Sequence, residues 1–233
     1  MGIDLTGISS KATQALLAEL MLAYRDRSGR AVAIESVGGV DAARRVQAGE
    51  VFDLVFLASD AIDKLVAGGH VHSGTRVDLV RSPVAVAVAA TAPLPDIGSG
   101  AALRQAVLNA PSLSFSTGPS GTYLGQLLER WGIAELVSPR LVQAPPGVPV
   151  GSLVASGQVA LGFQQLSELL PLHGIQIVGT LPADVAYITT FSAALPATLD
   201  LASDRAEAAR QLLAFLCSDA TATTKRRHGM EPA

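Results

Sequence analysis

The chain has 233 residues but a single cysteine, one tryptophan, three tyrosines and six phenylalanines. One cysteine, Cys217, excludes an internal disulfide. Charged side chains make up only 16% of the chain. With 17 basic against 20 acidic groups the net charge is -3, so no basic stripe exists and nucleic-acid binding is excluded. The longest apolar run, Val84 to Ala90, is far too short to cross a bilayer. The chain also lacks a G-x-x-x-x-G-K-[ST] phosphate loop, a G-x-G-x-x-G fingerprint and the G-x-S-x-G spacing of a nucleophile elbow. It shows no repeat of fixed period.

What is present is aliphatic. Hydrophobic residues make up 49% of the chain, alongside 22 Gly and 13 Pro, enough to bury a large core and to exclude disorder or a coiled coil. Short apolar runs alternate with helical periodicities, the pattern of a parallel α/β sheet. Strands are expected at 3–8, 31–35, 53–57, 84–89, 113–115, 140–142, 159–163, 175–178 and 185–193. Helices are expected at 11–27, 41–48, 60–67, 101–108, 122–131, 150–155, 167–170, 206–217 and 220–227. Cys217, on a periodic helix with Leu212 and Leu216, is expected to act as a small core residue. Lys225-Arg226-Arg227 reads as a solvated basic end. The opening Met1-Gly2-Ile3-Asp4 carries no basic segment followed by an apolar one. A mature periplasmic protein and a cytoplasmic one are both compatible with that start.

Small polar residues collect between strands and helices: Ser9-Ser10, Ser36-Val37-Gly38-Gly39, Ser59-Asp60, Ser116-Thr117-Gly118-Pro119-Ser120-Gly121 and Gly147-Val148-Pro149-Val150-Gly151. In an open sheet such junctions lie at the carboxyl ends of strands, where ligands bind. Helix N-termini there offer free N–H groups to an anion, and hydroxyls add donors without charge. Any one junction can equally be an ordinary helix cap; recurrence in both halves of the chain favours a site. His70 and His72 form an H-x-H pair with no second ligand pair, so a surface loop rather than a metal site is expected.

The chain resembles the type II solute-binding proteins of ABC transporters, in particular the molybdate-binding-protein-like branch. The resemblance rests on the Ser9-Ser10 opening, on Val37-Gly38-Gly39 with Arg45-Val46-Gln47-Ala48-Gly49, and on Phe52 to Ser59. Gly68-Gly69-His70, Val150 to Gly157 and Gly229-Met230-Glu231-Pro232 fit the same order. It implies an α/β fold of two hinge-connected lobes, each a mainly parallel sheet flanked by helices. Residues 1–82 plus 191–233 would form lobe 1, and residues 83–190 lobe 2. The implied function is capture of a small anion in the cleft between the lobes, for an ABC transporter permease in the periplasm. The protein would be a monomer without membrane insertion, needing no cofactor and no metal.

The expected ligand contacts are Ser9, Ser10, Gly38, Gly39, Ser59, Ser116, Thr117, Ser120, Val148, Gln164 and Gln165. Molybdate binders carry a hydroxyl in the second junction, where this chain has Val37-Gly38-Gly39-Val40. They carry a Tyr after the late strand, where this chain has Phe163-Gln164-Gln165. Both differences point to an organic polycarboxylate, because glutamine amides donate and accept and glycines admit a larger ligand. Ser36 to Ala42 and Gln164 to Glu168 also resemble the aconitate isomerases, which look like solute-binding proteins turned enzymes. In that alternative Lys11, Tyr123 and Glu168 would carry a cofactor-free allylic proton shift. The residues leave binding protein and isomerase both open.

Overall fold

The structure, a computed structural model, describes residues 4–145 and 147–233. Ile3, expected to open the first strand, and Pro146, in the expected Pro-rich turn, lie outside the described residues. In chain order, β1 (Leu5–Ser10) leads through a 3-10 turn into α1 (Gln14–Ser28), followed by β2 (Val32–Val37) and α2 (Gly39–Gln47). Next come β3 (Leu54–Ala58), α3 (Ser59–Ala67), β4 (Val77–Ala89) and α4 (Gly100–Asn109). The middle of the chain holds β5 (Leu113–Phe115), α5 (Pro119–Arg130), α6 (Ala134–Val137) and α7 (Val150–Ala155). β6 (Leu161–Gln165), α8 (Leu166–Leu169), β7 (Ile175–Thr180) and β8 (Ile188–Ala194) follow. The chain closes with α9 (Asp204–Cys217), α10 (Ala222–Arg227) and β9 (Glu231–Pro232).

These elements form two compact units, Met1–Arg81 with Thr190–Ala233, and Ser82–Thr189. In the first, β1 pairs in parallel with β2 and β3, and β8 runs antiparallel to β3. Every residue of β3 is buried, as a strand covered on both faces requires. One face packs Leu54 and Phe56 against Leu16, Leu20, Leu212 and Leu216 of α1 and α9. The other packs Ile8, Val55 and Leu57 against Val46, Ile62 and Leu65 of α2 and α3. Helix α1 buries Leu16, Leu17, Leu20, Met21 and Tyr24 at helical spacing. It stops at Gly29, whose φ of 71° is a left-handed cap open to glycine at little cost.

In the second unit β5 and β6 are parallel, while β4 pairs antiparallel with both β6 and β7. Val84, Val86 and Phe163 pack there against Leu103 of α4 and Leu124 and Leu127 of α5. The expectation of α/β units flanked by helices holds, with mixed rather than uniformly parallel sheets. The expected strand at 140–142 is instead a 3-10 turn at Ser138–Arg140 with a lone bridge from Leu113 to Leu141. Pro139 fixes its own φ and has no N–H for a ladder. The Arg140 guanidinium meanwhile donates to the Leu108 carbonyl at 2.9 Å. The strand expected to end at Phe163 runs on through Gln165, so both glutamines belong to the sheet.

Two surface expectations are also corrected. Cys217 is exposed rather than a core residue, because Leu212, Leu213 and Leu216 occupy the buried side of α9. Lys225 is only 3% exposed, so the solvated basic end consists of Arg226 and Arg227. Arg226 pairs with Glu231 at 3.1 Å and Arg227 with Glu19. Burial pushes the Lys225 amine below the usual lysine range. No helix among the described residues is long and apolar enough to cross a membrane.

The start of β1 is tied to α9 through Asp53, which is 3% exposed. Its carboxylate accepts from the Thr6 backbone N–H at 2.7 Å, and from Arg205 Nε and Nη2 at 2.7 and 2.5 Å. Burial works against the charge, but these donors outweigh it and hold the carboxyl below the usual aspartate range. A depressed folded-state value means stability present above the unfolded pKa of about 4 and lost as pH falls through the folded one. Asp53→Asn is therefore expected to cost about 2–3 kcal/mol at neutral pH, a fall in Tm of roughly 5–10 °C. Thermal melts from pH 7 down to pH 3 check it: the variant should lose less stability with acid than the parent.

Candidate functional site

The parallel register of the first unit aligns three strand ends. Ser9 lies opposite Ser36 and Ser10 opposite Val37, while Ser9 also faces Phe56 of β3. Ser10, Gly38 and Ser59 therefore stand along one carboxyl edge, each at the start of a helical segment. Ser9 is fully buried and shares a 2.7 Å hydroxyl–hydroxyl bond with Ser36. Ser10 is 6% exposed, and its buried Oγ has no protein partner. A methyl group at Gly39 would come within 3.6 Å of Ser10 Cβ, so that glycine leaves space beside the free hydroxyl. Lys11 is exposed at the first position of the 3-10 turn.

The second unit builds a comparable rim. Phe115 lies opposite Phe163 in the parallel β5–β6 pair, so Ser116 leaves β5 at the level of Gln164, which stays paired with Ala85 of β4. Ser116 Oγ and Ser120 Oγ are 2.9 Å apart, and Ser120 is 1% exposed in the first turn of α5. Thr117 is exposed. Gln164 is 3% exposed; its Oε1 accepts from the Gly151 N–H at 3.2 Å and its Nε2 donates to Glu168 Oε1 at 2.9 Å. This pair of bonds orients the amide and presents the Glu168 carboxylate beside the strand end. Gln165 is 2% exposed, and its Nε2 donates to Thr189 Oγ1 at 2.7 Å. The buried Gln165 Oε1 has no protein partner.

The structure thus joins Ser9 to Ser36, Ser116 to Ser120, and Gln164 to Glu168. Tyr123, Val148 and Ser59 are among the expected residues outside such pairings. Tyr123 donates its hydroxyl to the Val185 carbonyl at 2.9 Å and stacks on Tyr187 at 4.4 Å, a packing role. Val148 is 38% exposed in the loop before α7. Ser59 begins α3, half-buried. Ser36, Gly151 and Thr189 were absent from the expected contacts. Ser36 had a signal in its place at the second junction; Thr189 had none, lying 24 residues beyond its partner.

Among the described residues neither rim contains a buried cationic side chain. A groove of about 310 Å³ beside α1 and β2 reaches the first rim at Ser36, and one of about 520 Å³ elsewhere is lined by Val88, Pro93, Asp96 and Gln105. Ser10 Oγ and Gln165 Oε1, at strand ends, are buried without a protein partner. Among the described residues no three His, Cys, Asp or Glu gather to hold a metal, and His72 Nε2 lies 2.8 Å from the Leu199 carbonyl.

The two α/β units have the fold of the periplasmic binding proteins. The chain belongs to the bacterial extracellular solute-binding protein family, which it matches over residues 5–231. It is 36% identical over 236 residues to an aconitate isomerase from Pseudomonas sp., covering 98% of this chain and 87% of that protein. The periplasmic molybdate-binding protein of Azotobacter vinelandii superposes with a TM-score of 0.78 at 20% identity, over 97% of this chain and 98% of that one. The sulfate-binding protein SubI of Mycobacterium tuberculosis H37Rv superposes at 0.79 with 16% identity, over 100% of this chain and 88% of that one.

Gly121 holds the second rim together. A Cβ there would fall 1.4 Å from the Ser116 carbonyl oxygen, which is backbone and cannot give way cheaply. Gly125, on the same helix, has nothing within 4 Å. Gly121→Ala is expected to destabilise by about 3 kcal/mol or more and to break the Ser116–Ser120 pair. Gly125→Ala should be neutral or slightly stabilising. Thermal melts of both, with a crystal structure of the first, check this.

Proposed function

We propose that this protein binds a small organic polycarboxylate of the aconitate class through neutral hydrogen-bond donors at its strand ends, and hands it to an ABC transporter in the periplasm. The observation that supports this reading is that each unit by itself buries neutral hydrogen-bonding groups at its strand ends and helix starts, Ser9 and Ser10 in the first, Ser120 and Gln164 in the second. Hydroxyls, amides and free N–H groups at the starts of α2 and α5 satisfy carboxylate oxygens without burying a counter-charge. The glutamine amides and the open glycines at 38 and 39 suit an extended ligand better than a compact tetrahedral oxyanion.

A thermal-shift series with trans-aconitate, citrate, sulfate and molybdate tests it. A ligand at about 100 times its Kd stabilises by about 2.7 kcal/mol through mass action. Tricarboxylates are expected to raise Tm and molybdate to leave it unmoved; the opposite ranking overturns the ligand class. Ser10→Ala removes an unpartnered buried hydroxyl, so the free protein should keep or gain stability. Its affinity for the tricarboxylate should fall by about 0.5–1.5 kcal/mol.

A second reading, cofactor-free interconversion of cis- and trans-aconitate, is favoured by the 36% identity to an aconitate isomerase. Glu168, fixed by Gln164, would take a proton from the ligand methylene. The electron pair would shift across the allylic system, and the proton would return at its far end. Neutral rim donors would hold the charge that develops on the carboxylate oxygens. Incubation with trans-aconitate in heavy water, followed by NMR, should show the cis isomer with deuterium in its methylene. Glu168→Gln should slow conversion at least 100-fold with Tm unchanged; no conversion by the parent protein leaves binding alone.

A further inference from the structure

Helix α1 and strand β2 meet at a seam that the core of the first unit does not fill. Among the described residues β2 pairs with β1 alone, so its other edge is open. Val32, Ile34 and Ser36 share one face of β2 at strand spacing, and Val32 and Ile34 are only half-buried against the core. Along α1, Leu17, Met21 and Arg25 recur every four residues, with Leu22 beside them and 54% exposed. Helix and strand border a groove of about 310 Å³, lined from Ser36 and Gln14 at one end to Arg25 at the other. From Leu17 to Arg25 the helix rises about 12 Å. Among the described lining residues Arg25 is the single charged one. Its guanidinium meets its chain neighbour Asp26 at 3.5 Å, with both side chains exposed, a contact too weak to hold it. At the other end Ser36 Oγ is already engaged by Ser9 at 2.7 Å.

We propose that this groove is a second binding site, for a medium-chain aliphatic monocarboxylate whose carboxylate pairs with Arg25 and whose chain lies along Met21, Leu22, Val32 and Ile34. Burial of methylenes against these side chains drives the binding, and the guanidinium fork selects a negative head group and fixes its place. A groove of this volume with apolar walls and one charged anchor has the make-up of a small-molecule site. The inference goes beyond the polycarboxylate reading and does not rest on it, because a tricarboxylate has no alkyl chain to bury here.

Methyl NMR of the whole protein with butanoate, hexanoate, octanoate and octylammonium tests it. Octanoate is expected to shift the Met21, Leu22, Val32 and Ile34 methyls, with affinity rising about two- to threefold per added methylene along the series. Octylammonium carries the same chain with the opposite charge and should bind at least fivefold more weakly. Arg25→Gln should weaken octanoate about fivefold and remove its preference over octylammonium. Leu22→Glu, a change at an exposed position, should leave Tm unmoved and weaken octanoate at least tenfold. No shift at these methyls, shifts scattered over the whole protein, equal binding of octanoate and octylammonium, or an affinity unchanged in both variants overturns the inference. So do groove shifts that grow with protein concentration alone while sedimentation shows a dimer, because the open edge of β2 then takes a second copy of the chain.

Discussion

Parallel pairing is the constraint on which the first unit depends. Strands β1, β2 and β3 run the same way, so each must return by a helix, and every helix must begin at the same edge. Chain reversal therefore delivers Ser10, Gly38 and Ser59 to one line. The tie from Thr6 through Asp53 to Arg205 anchors the opposite end of β1 to α9. The candidate site and this stabilising tie thus lie at opposite ends of the same strands.

The second unit reaches a similar rim with a different sheet. Only β5 and β6 are parallel there, yet that one pair levels Ser116 with Gln164. Local contacts then finish the work. Gly121 lets α5 start against the Ser116 carbonyl, and Gln164 links the Gly151 N–H to the Glu168 carboxylate. A rim made of neutral donors avoids the desolvation cost of a buried lysine or arginine.

Much of this was legible in the residue order. Leu16, Leu20 and Tyr24 recur at helical spacing, Gly29 ends their helix, and Leu54 to Ala58 form an unbroken apolar run. The helix-start residues at 9–10, 36–39 and 116–121 marked the strand ends in advance. The errors share a cause. Arg140 to Val142 had strand-like residues but lay next to Pro139, while Cys217 was placed by periodicity and Lys225 by its charge, although neighbouring elements decide what each covers.

The sequence by itself determined the alternation of strands and helices, the aliphatic core and the small polar residues at each junction, because these follow from short-range spacing and backbone preference. Only the tertiary structure decided which polar atoms are satisfied. Gln165 meets Thr189, Asp53 meets Arg205, and Tyr123 turns to Val185, all across separations that no local pattern encodes. Ser10 Oγ and Gln165 Oε1 are left without protein partners for the same reason: burial is a property of the packed chain, and so is the hydrogen bond that burial demands.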